Sequence, residues 1–253
     1  MIGAGNVGTN LVRALCHKHE ILQIYSHSAA NAKFLADAIG CPNATNDLST
    51  LADDADIYII SIKDDAIADV IASVPDNGAL WAHTSGSIPM SVFASNHSRY
   101  GVFYPMQSFS KQIETEFSDV PFFIEGNCPE STIALTELAK TISNHVYAAD
   151  SDTRSRLHIA AVFSCNFANH LWALAHDVLR EAGLPFDVMK PLIRTTVEKL
   201  DTLSPAESQT GPAMRRDYDV ISKHLSMLSG DKHEVYDMLS RSIIKKHFNS
   251  NKP

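Results

Sequence analysis

Three glycines near the N-terminus constrain the fold of this chain more than any other sequence feature. Gly3, Gly5 and Gly8 stand at GxGxxG spacing, with Asn6 and Val7 between them. In this spacing the first glycine makes a tight turn, the second lets the backbone approach a pyrophosphate, and the third lets a helix pack close to a sheet. A helix that begins at such a turn directs free N–H groups and its positive dipole end at phosphate. The segment therefore predicts a dinucleotide-binding turn.

The first half of the chain alternates short β-rich runs with helical stretches. Apolar periodicity predicts a helix from Asn6 to His19 and a strand from Asp56 to Ile62 that is buried on both faces. Alternation of this kind implies right-handed crossovers and a mostly parallel sheet. The β-rich runs stop near Asp150. We therefore expect a Rossmann-type α/β domain over residues 1–150 and an all-α domain over residues 151–253.

The strand that should lead into the glycine turn is largely missing. Only Met1 and Ile2 precede Gly3, whereas a fingerprint of this kind follows a full strand. A parallel sheet built around the turn would then lack most of its central strand. We expect that a late start codon at Met1 has truncated the chain, and that the codons upstream encode a β-rich stretch.

The end of the second predicted strand bears on the choice of cofactor. NAD enzymes usually place Asp or Glu there to bond the ribose 2′-hydroxyl. This chain has Tyr25-Ser26-His27-Ser28 and no acid. Hydroxyl groups and an imidazole suit a 2′-phosphate better than a carboxylate does. Ser26 and His27 therefore favour NADP(H) over NAD, although His27 is also explained as a surface loop residue.

Three polar segments follow predicted strands, at the sheet edge where ligands bind in open α/β folds. They cover residues 61–65, 83–87 and 104–109, and the second combines hydroxyl groups with a glycine that permits close backbone approach. The first is expected to pass the cofactor, and the others to bond the reacting oxygen or a substrate carboxylate. Ordinary turn chemistry explains such residues equally well. The candidate residues in these segments are Ser61, Lys63, Ser85, Gly86 and Gln107.

A long predicted helical stretch, from Ser151 to Ala182, carries polar groups inside an apolar run. His158, Asn166 and Asn169 fall near one helical face. Buried polar groups need partners, and a substrate could be one, although an interior or an interface could also satisfy them. An imidazole is suited to proton transfer at neutral pH. His158 is therefore the candidate general acid, with Asn166 as a neighbouring catalytic candidate.

Composition excludes several classes of partner. The net charge of −8 argues against nucleic acid, because a surface that tracks phosphates needs a basic excess. No apolar run approaches the length of about 20 residues that crosses a bilayer. The N-terminus lacks the basic and apolar regions of a secretory signal. We expect a cytoplasmic protein, without a metal site, that acts on a small molecule.

Five segments together resemble one protein family. They read GAGNVG at the start, HTSGS at 83–87, YPMQSFSK at 104–111, HIAAVFSCNFANH at 158–170 and QTGPAMRRD at 209–217. In this order they resemble the bacterial NADP oxidoreductases that have a Rossmann-like domain and a C-terminal helical domain of unknown function. That family is similar in layout to pyrroline-5-carboxylate reductase, 6-phosphogluconate dehydrogenase and the β-hydroxyacid dehydrogenases.

The resemblance implies a helical domain that forms a dimer interface and a substrate cleft between the domains, near the nicotinamide. By position, the three glycines of the turn would hold the pyrophosphate. The residues implied to line the cleft are Ser85, Gly86, Gln107, His158 and Asn166. One departure concerns the β-hydroxyacid dehydrogenases, which use a Lys followed four residues later by an Asn. This chain has His158 and Val162 near those places, so that acid–base pair does not carry over.

Three functions follow as hypotheses. The first is an NADP-dependent oxidoreductase that transfers a hydride between NADPH and a small carbonyl or imine compound. The second is an NADP-binding sensor or scaffold without turnover, which the absent Lys favours. The third is a structural homodimer with a degenerate Rossmann half. A homodimer through the C-terminal helices is expected for the oxidoreductase.

Overall fold

The computed structural model describes residues 1–248. Its contacts divide the chain into two compact units, Met1–Asn166 and a second unit that begins at Phe167. The first unit contains the β-sheet with its helices, and the described part of the second is helical. The predicted class, a mostly parallel α/β domain followed by helices, is confirmed.

The sheet of the first unit is built mainly from parallel pairs. Its strands are β1 (Ile24–Tyr25), β2 (Ala44–Thr45), β3 (Ile57–Ile60), β4 (Leu80–His83), β5 (Arg99–Pro105), β6 (Phe122–Gly126) and β7 (Val146–Ala148). β1 pairs with β2, β3 with β4, β4 with β5, and β6 with β7, all in parallel. β6 returns antiparallel to β5, because the segment between them contains no helix that could carry the chain back across the sheet.

Five helices accompany this sheet in the described first unit. They are α1 (Asn6–Leu15), α2 (Ala29–Ile39), α3 (Asp64–Ser73), α4 (Pro129–Lys140) and α5 (Ser151–Ala161). α1 buries Leu11, Val12 and Leu15, and it ends at Leu15, before the His19 that its apolar periodicity predicted. α2 ends at Gly40, whose φ of 71° is left-handed.

Ile2 occupies the central position of the sheet. It forms parallel bridges with Tyr25 of β1 and Ile60 of β3, and so joins β1 and β2 to the other strands. Its N–H donates to the Ile59 carbonyl at 2.8 Å, and its carbonyl accepts from the Ser61 N–H at 2.7 Å. A cavity of about 440 Å³ adjoins Ile2 and is lined by residues 19–23, which precede β1, and by residues of β3. The expected late start codon stays a prediction.

The second unit is made of α6 (Ala168–Glu181), α7 (Lys190–Glu198), α8 (Pro212–Arg215), α9 (Tyr218–Met227) and α10 (Gly230–Phe248). A π-helical turn, Val162–Phe167, connects α5 to α6. The long helical stretch predicted from 151 to 182 is therefore interrupted, and residues on either side of the turn do not keep α-helical spacing. No helix within residues 1–248 is long and apolar enough to cross a membrane.

Candidate active site

The glycine turn is fixed by close contacts with β3. Gly3 has a φ of 114°, and a Cβ atom there would lie 2.1 Å from the Ser61 carbonyl oxygen. A Cβ on Gly8 would lie 2.3 Å from the carbonyl oxygen of Gly3. Neither position has room for a side chain, and only glycine adopts the Gly3 conformation without strain. Ser61, one of the predicted cofactor residues, is buried beneath the turn and supports it through its backbone.

Gly5 differs from these two glycines because a side chain at this position would point into unoccupied space. The nearest atom to a Cβ placed there would be the Ser61 carbonyl oxygen, at 4.0 Å. Gly5 is the N-cap of α1, no side chain caps this helix end, and its first turn contains no acidic residue. Asn6 is exposed and Val7 half-buried at this end. The open end of a ten-residue helix fits an anionic diphosphate.

The two residues predicted to select the cofactor, Ser26 and His27, follow β1. Lys63, predicted to lie where the chain passes the cofactor, precedes α3. Ser26 is half-buried, and its N–H donates to the Thr45 carbonyl at 3.1 Å. His27 is exposed. The Ser28 hydroxyl caps α2 by accepting from the Asn31 N–H. Lys63 is exposed at the N-cap of α3.

Ser85 is a buried hydroxyl in the turn that follows β4. Its oxygen accepts from the N–H groups of Ser87 and Ile88, both at 3.1 Å. These two bonds use the acceptor capacity of a hydroxyl and leave its proton as a donor. The Ser87 hydroxyl, 3.3 Å away, itself donates to Asp64. Because Ser87 gives its proton to Asp64, Ser85 is the donor in its contact with Ser87, and a ligand could receive the Ser85 proton only in place of Ser87.

His83 holds the same turn from beneath. It is fully buried at the end of β4, and its Nδ1 accepts from the Ser85 N–H at 3.2 Å. Burial, followed by the positive charge of Arg154, lowers the pKa of His83 to about 4. The ring is therefore neutral near pH 7, and Nδ1 keeps the lone pair that the turn requires.

We expect His83 to make folding stability depend on pH. Its pKa is about 4 in the folded chain, against an ordinary value of 6.5, so the unfolded chain binds the proton more readily between these limits. The contribution of His83 to the free energy of unfolding is complete above pH 6.5. It falls by about 3 kcal/mol as the pH is lowered to 4. Urea unfolding of wild type and of His83→Asn between pH 7 and 4 measures this effect. The free energy of unfolding should fall less steeply with decreasing pH for His83→Asn than for the wild type. Equal slopes for the two proteins would contradict the lowered pKa of His83.

Tyr104 and His158 form a close pair above Gly86. The Tyr104 hydroxyl lies 3.3 Å from Nδ1 of His158, with the two rings inclined at 73°. A Cβ on Gly86 would lie 2.8 Å from that Nδ1 and 2.9 Å from Cζ of Tyr104. Gly86 was predicted as a point of ligand approach, and this stays a prediction. The structure shows that the lack of a side chain at Gly86 makes room for these two rings. The sequence indicated the segment that contains Tyr104 but did not select this residue.

A buried ion pair fixes the helix that carries His158. Arg154 is 1% exposed and is paired with Glu125 of β6. It also donates to the Ile88 carbonyl at 2.6 Å and to the Ser151 hydroxyl at 3.2 Å. His158 follows one turn later on α5, so this pair anchors the helix beside Tyr104. Sequence reasoning missed Arg154 and Glu125, although the four-residue spacing of Arg154 and His158 places both on one helical face.

Gln107 and Asn166 lie outside the contacts just described. Gln107 is exposed after β5, and its side-chain oxygen accepts from the Ser108 N–H at 2.7 Å. Asn166 is exposed in the π-helical turn, and Asn169 is exposed at the start of α6. The expectation that these two asparagines are buried is wrong for the single chain. The π-helical turn changes the helical spacing on which that expectation rested.

Most of the chain matches models of two known protein families. Residues 1–82 match the family described as NADP oxidoreductase, coenzyme F420-dependent. Residues 120–243 match a domain of unknown function, DUF2520. No curated protein matches the chain.

Solved structures extend this assignment. A protein from Bacteroides fragilis, described as a "putative NADP oxidoreductase", is 46% identical, with a TM-score of 0.90 and coverage of 96% of each chain. An imine reductase from Myxococcus stipitatus in complex with NADP⁺ is 14% identical, with a TM-score of 0.69 over 99% of this chain and 93% of that one. A pyrroline-5-carboxylate reductase from Coxiella burnetii is 13% identical, with a TM-score of 0.57 over 100% and 97%. The last two show a shared fold.

The glycine turn fits the cofactor of this family, which is NADP(H). Gly3 and Gly8 are held where a Cβ would collide with backbone, whereas Gly5 leaves open space before the uncapped helix α1. The chain belongs to the family of NADP oxidoreductases that joins a Rossmann-type domain to the C-terminal domain DUF2520.

Proposed function

We propose that this protein reduces a small imine or carbonyl compound with hydride from NADPH. The observation that carries the proposal is the Tyr104–His158 pair over Gly86. β3, β4 and β5 are mutually parallel, and Ile2 is parallel to β3. The glycine turn and Gly86 therefore follow carboxyl ends at one edge of the sheet, and Tyr104 lies in β5 at its carboxyl end. Ligands of open α/β folds bind at this edge.

The chain's own residues supply the proton and the substrate contacts. Reduction of a C=N or C=O bond requires a hydride at carbon and a proton at nitrogen or oxygen, and NADPH supplies the hydride when bound. His158 is the proposed source of the proton, and the Ser85 hydroxyl is proposed to exchange its hydrogen bond to Ser87 for one to the substrate heteroatom. Gln107 and Asn166 are proposed as further substrate contacts. The names of two structural relatives, an imine reductase and a pyrroline-5-carboxylate reductase, favour a C=N substrate.

The proposal includes a preference for NADPH over NADH. The segment after β1 contains Ser26 and His27 and no acidic residue, so nothing there would repel a 2′-phosphate. The pyrophosphate contacts are assigned to Gly3, Gly5, Asn6, Val7 and Gly8. Ser61, Lys63, Ser85 and Gly86 are proposed to complete the cofactor contacts.

A substrate panel tests this function. The full chain is mixed with NADPH and either the cyclic imine 2-methyl-1-pyrroline or the ketone cyclohexanone, and NADPH consumption is followed by absorbance. We expect consumption that depends on the added compound, with the imine reduced faster than the ketone. NADPH binding without consumption across a broad set of imines and ketones would instead support the sensor or scaffold hypothesis. This second candidate function is retained because His158 stands near the place where the β-hydroxyacid dehydrogenases have their Lys.

We also propose that the protein is a homodimer through its C-terminal helices and is located in the cytoplasm. Large apolar side chains are exposed along the helices from α5 onward, among them Ile159 (55%), Leu192 (62%) and Val197 (57%). Exposed apolar area of this extent is typical of an interaction surface. A cavity of about 330 Å³ between α6 and α10 is lined mainly by apolar side chains. Light scattering should give twice the chain mass, and a mass of one chain would contradict the dimer.

A further inference from the structure

We propose that the Tyr104 hydroxyl donates the proton to the substrate and that His158 replaces this proton from solvent. This inference rests on the proposed reductase function and assigns the order of the two groups. Tyr104 becomes the catalytic acid, and His158 acts through it.

The order follows from the burial of the two side chains. Tyr104 is 8% exposed at the end of β5, whereas His158 is half-buried on α5. The Tyr104 hydroxyl reaches Nδ1 of His158 at 3.3 Å. Within residues 1–248, Nε2 of His158 makes no hydrogen bond, so this second ring nitrogen is available to exchange protons with water. A proton from solvent therefore reaches the imidazole first and the phenol second.

Gly86 keeps the two rings in this arrangement. The Cβ of any larger residue would collide with both Nδ1 of His158 and Cζ of Tyr104. The Gly86 backbone follows β4 at the sheet edge where ligands bind in this fold class. The phenol is thus placed against the turn that contains Ser85 and Gly86.

Arg154 favours the phenolate that proton transfer would leave on Tyr104. Burial raises the pKa of Tyr104 above its ordinary value of 10, and the positive charge of Arg154 partly offsets this rise. Arg154 is itself held by Glu125, Ser151 and the Ile88 carbonyl, so it cannot move to pair fully with the phenolate. Because burial keeps the pKa of Tyr104 above 10, the phenolate is basic enough to take a proton from His158.

The steps balance in atoms and charge. The substrate carbon accepts a hydride from NADPH, and the adjoining nitrogen or oxygen takes the hydroxyl proton of Tyr104. This yields an amine or an alcohol, NADP⁺ and the Tyr104 phenolate. The Nδ1–H of His158 then gives its proton to the phenolate while Nε2 takes a proton from solvent, so the ring keeps its charge and the net reaction consumes one solvent proton.

Kinetics of four variants test this order on any imine or ketone that the wild type reduces. Tyr104→Phe should lower kcat by about 100-fold or more, the scale of a lost general acid. His158→Gln should lower kcat less, and added imidazole should restore part of the loss. The double variant should be no slower than Tyr104→Phe alone. Tyr147→Phe, a control at a tyrosine that is 50% exposed, should match the wild type.

Nitrogen NMR of the imidazole side chains gives a second readout that needs neither cofactor nor substrate. Tyr104→Phe should change the His158 Nδ1 resonance, because the hydroxyl partner is lost, and Tyr147→Phe should not. An unchanged Nδ1 resonance would overturn the proposal. So would a Tyr104→Phe variant that keeps the turnover of Tyr147→Phe while the wild type is active. A wild type that reduces nothing in the panel would instead remove the reductase function and this inference with it.

Discussion

Gly8→Ala is expected to destabilise the first unit by about 3 kcal/mol or more, at the upper end of the range for overpacked sites. The new Cβ would lie 2.3 Å from the Gly3 carbonyl oxygen and 3.4 Å from Cβ of Ser61. Gly3 belongs to the glycine turn and Ser61 directly follows β3, so relief requires α1 to move away from β3. Gly3→Ala should be at least as harmful, because it adds a left-handed φ to a 2.1 Å collision.

Gly40→Ala is the matched control for this prediction. Gly40 has a positive φ of 71°, but no atom lies within 4 Å of the position that a Cβ would take there. Its replacement should cost about 1 to 2 kcal/mol, the penalty for a left-handed alanine. Urea unfolding of the three variants separates crowding from backbone strain. A Gly8→Ala protein as stable as Gly40→Ala would show that α1 does not need its close approach to the sheet.

Arg154→Met is expected to destabilise the protein by about 3–5 kcal/mol, the usual cost of breaking a buried ion pair. The substitution leaves the Glu125 carboxylate, whose side chain is 15% exposed, without its cation. It also removes the bonds to the Ile88 carbonyl and to Ser151. α5 would then lose its attachment to β6 and to the turn after Ser85. The Tyr104–His158 contact should weaken as a result.

The double variant Arg154→Met with Glu125→Gln distinguishes charge from packing. Removing both charges relieves the unpaired carboxylate, so the double variant should recover most of the lost stability. Lys33→Met breaks an exposed ion pair with Asp37 and should change stability by less than about 1 kcal/mol. Denaturant unfolding of all three proteins measures these differences. If the double variant is no more stable than Arg154→Met, the cost comes from packing rather than from the buried charge.

Local patterns predicted much of the first unit. The glycine spacing indicated the turn and α1. These features depend on neighbouring residues, so one stretch of sequence contains the information. The antiparallel β6 is consistent with the absence of a helix between residues 106 and 121, although no strand direction was assigned from the sequence.

Contacts between segments that are distant in the chain could not be predicted from the sequence. Glu125 and Arg154 pair across 29 positions, and Tyr104 meets His158 across 54. No local periodicity reports such contacts, since they depend on how strands and helices pack. The π-helical turn over Val162–Phe167 was missed for a different reason. Its apolar residues fit an α-helix as well, so periodicity did not distinguish the two.

The central claim is that the open glycine turn binds NADPH, and fluorescence titration of Gly5→Ala tests it most directly. Beyond its two chain neighbours, a Cβ on Gly5 would have the Ser61 carbonyl oxygen as its nearest atom, at 4.0 Å, so the variant should unfold at the same urea concentration as the wild type. Its affinity for NADPH should fall by at least about tenfold, a loss of about 1.4 kcal/mol, because the methyl group occupies the space of the pyrophosphate. The wild type should bind NADPH more tightly than NADH. A stable Gly5→Ala protein that binds NADPH as tightly as the wild type would contradict the claim.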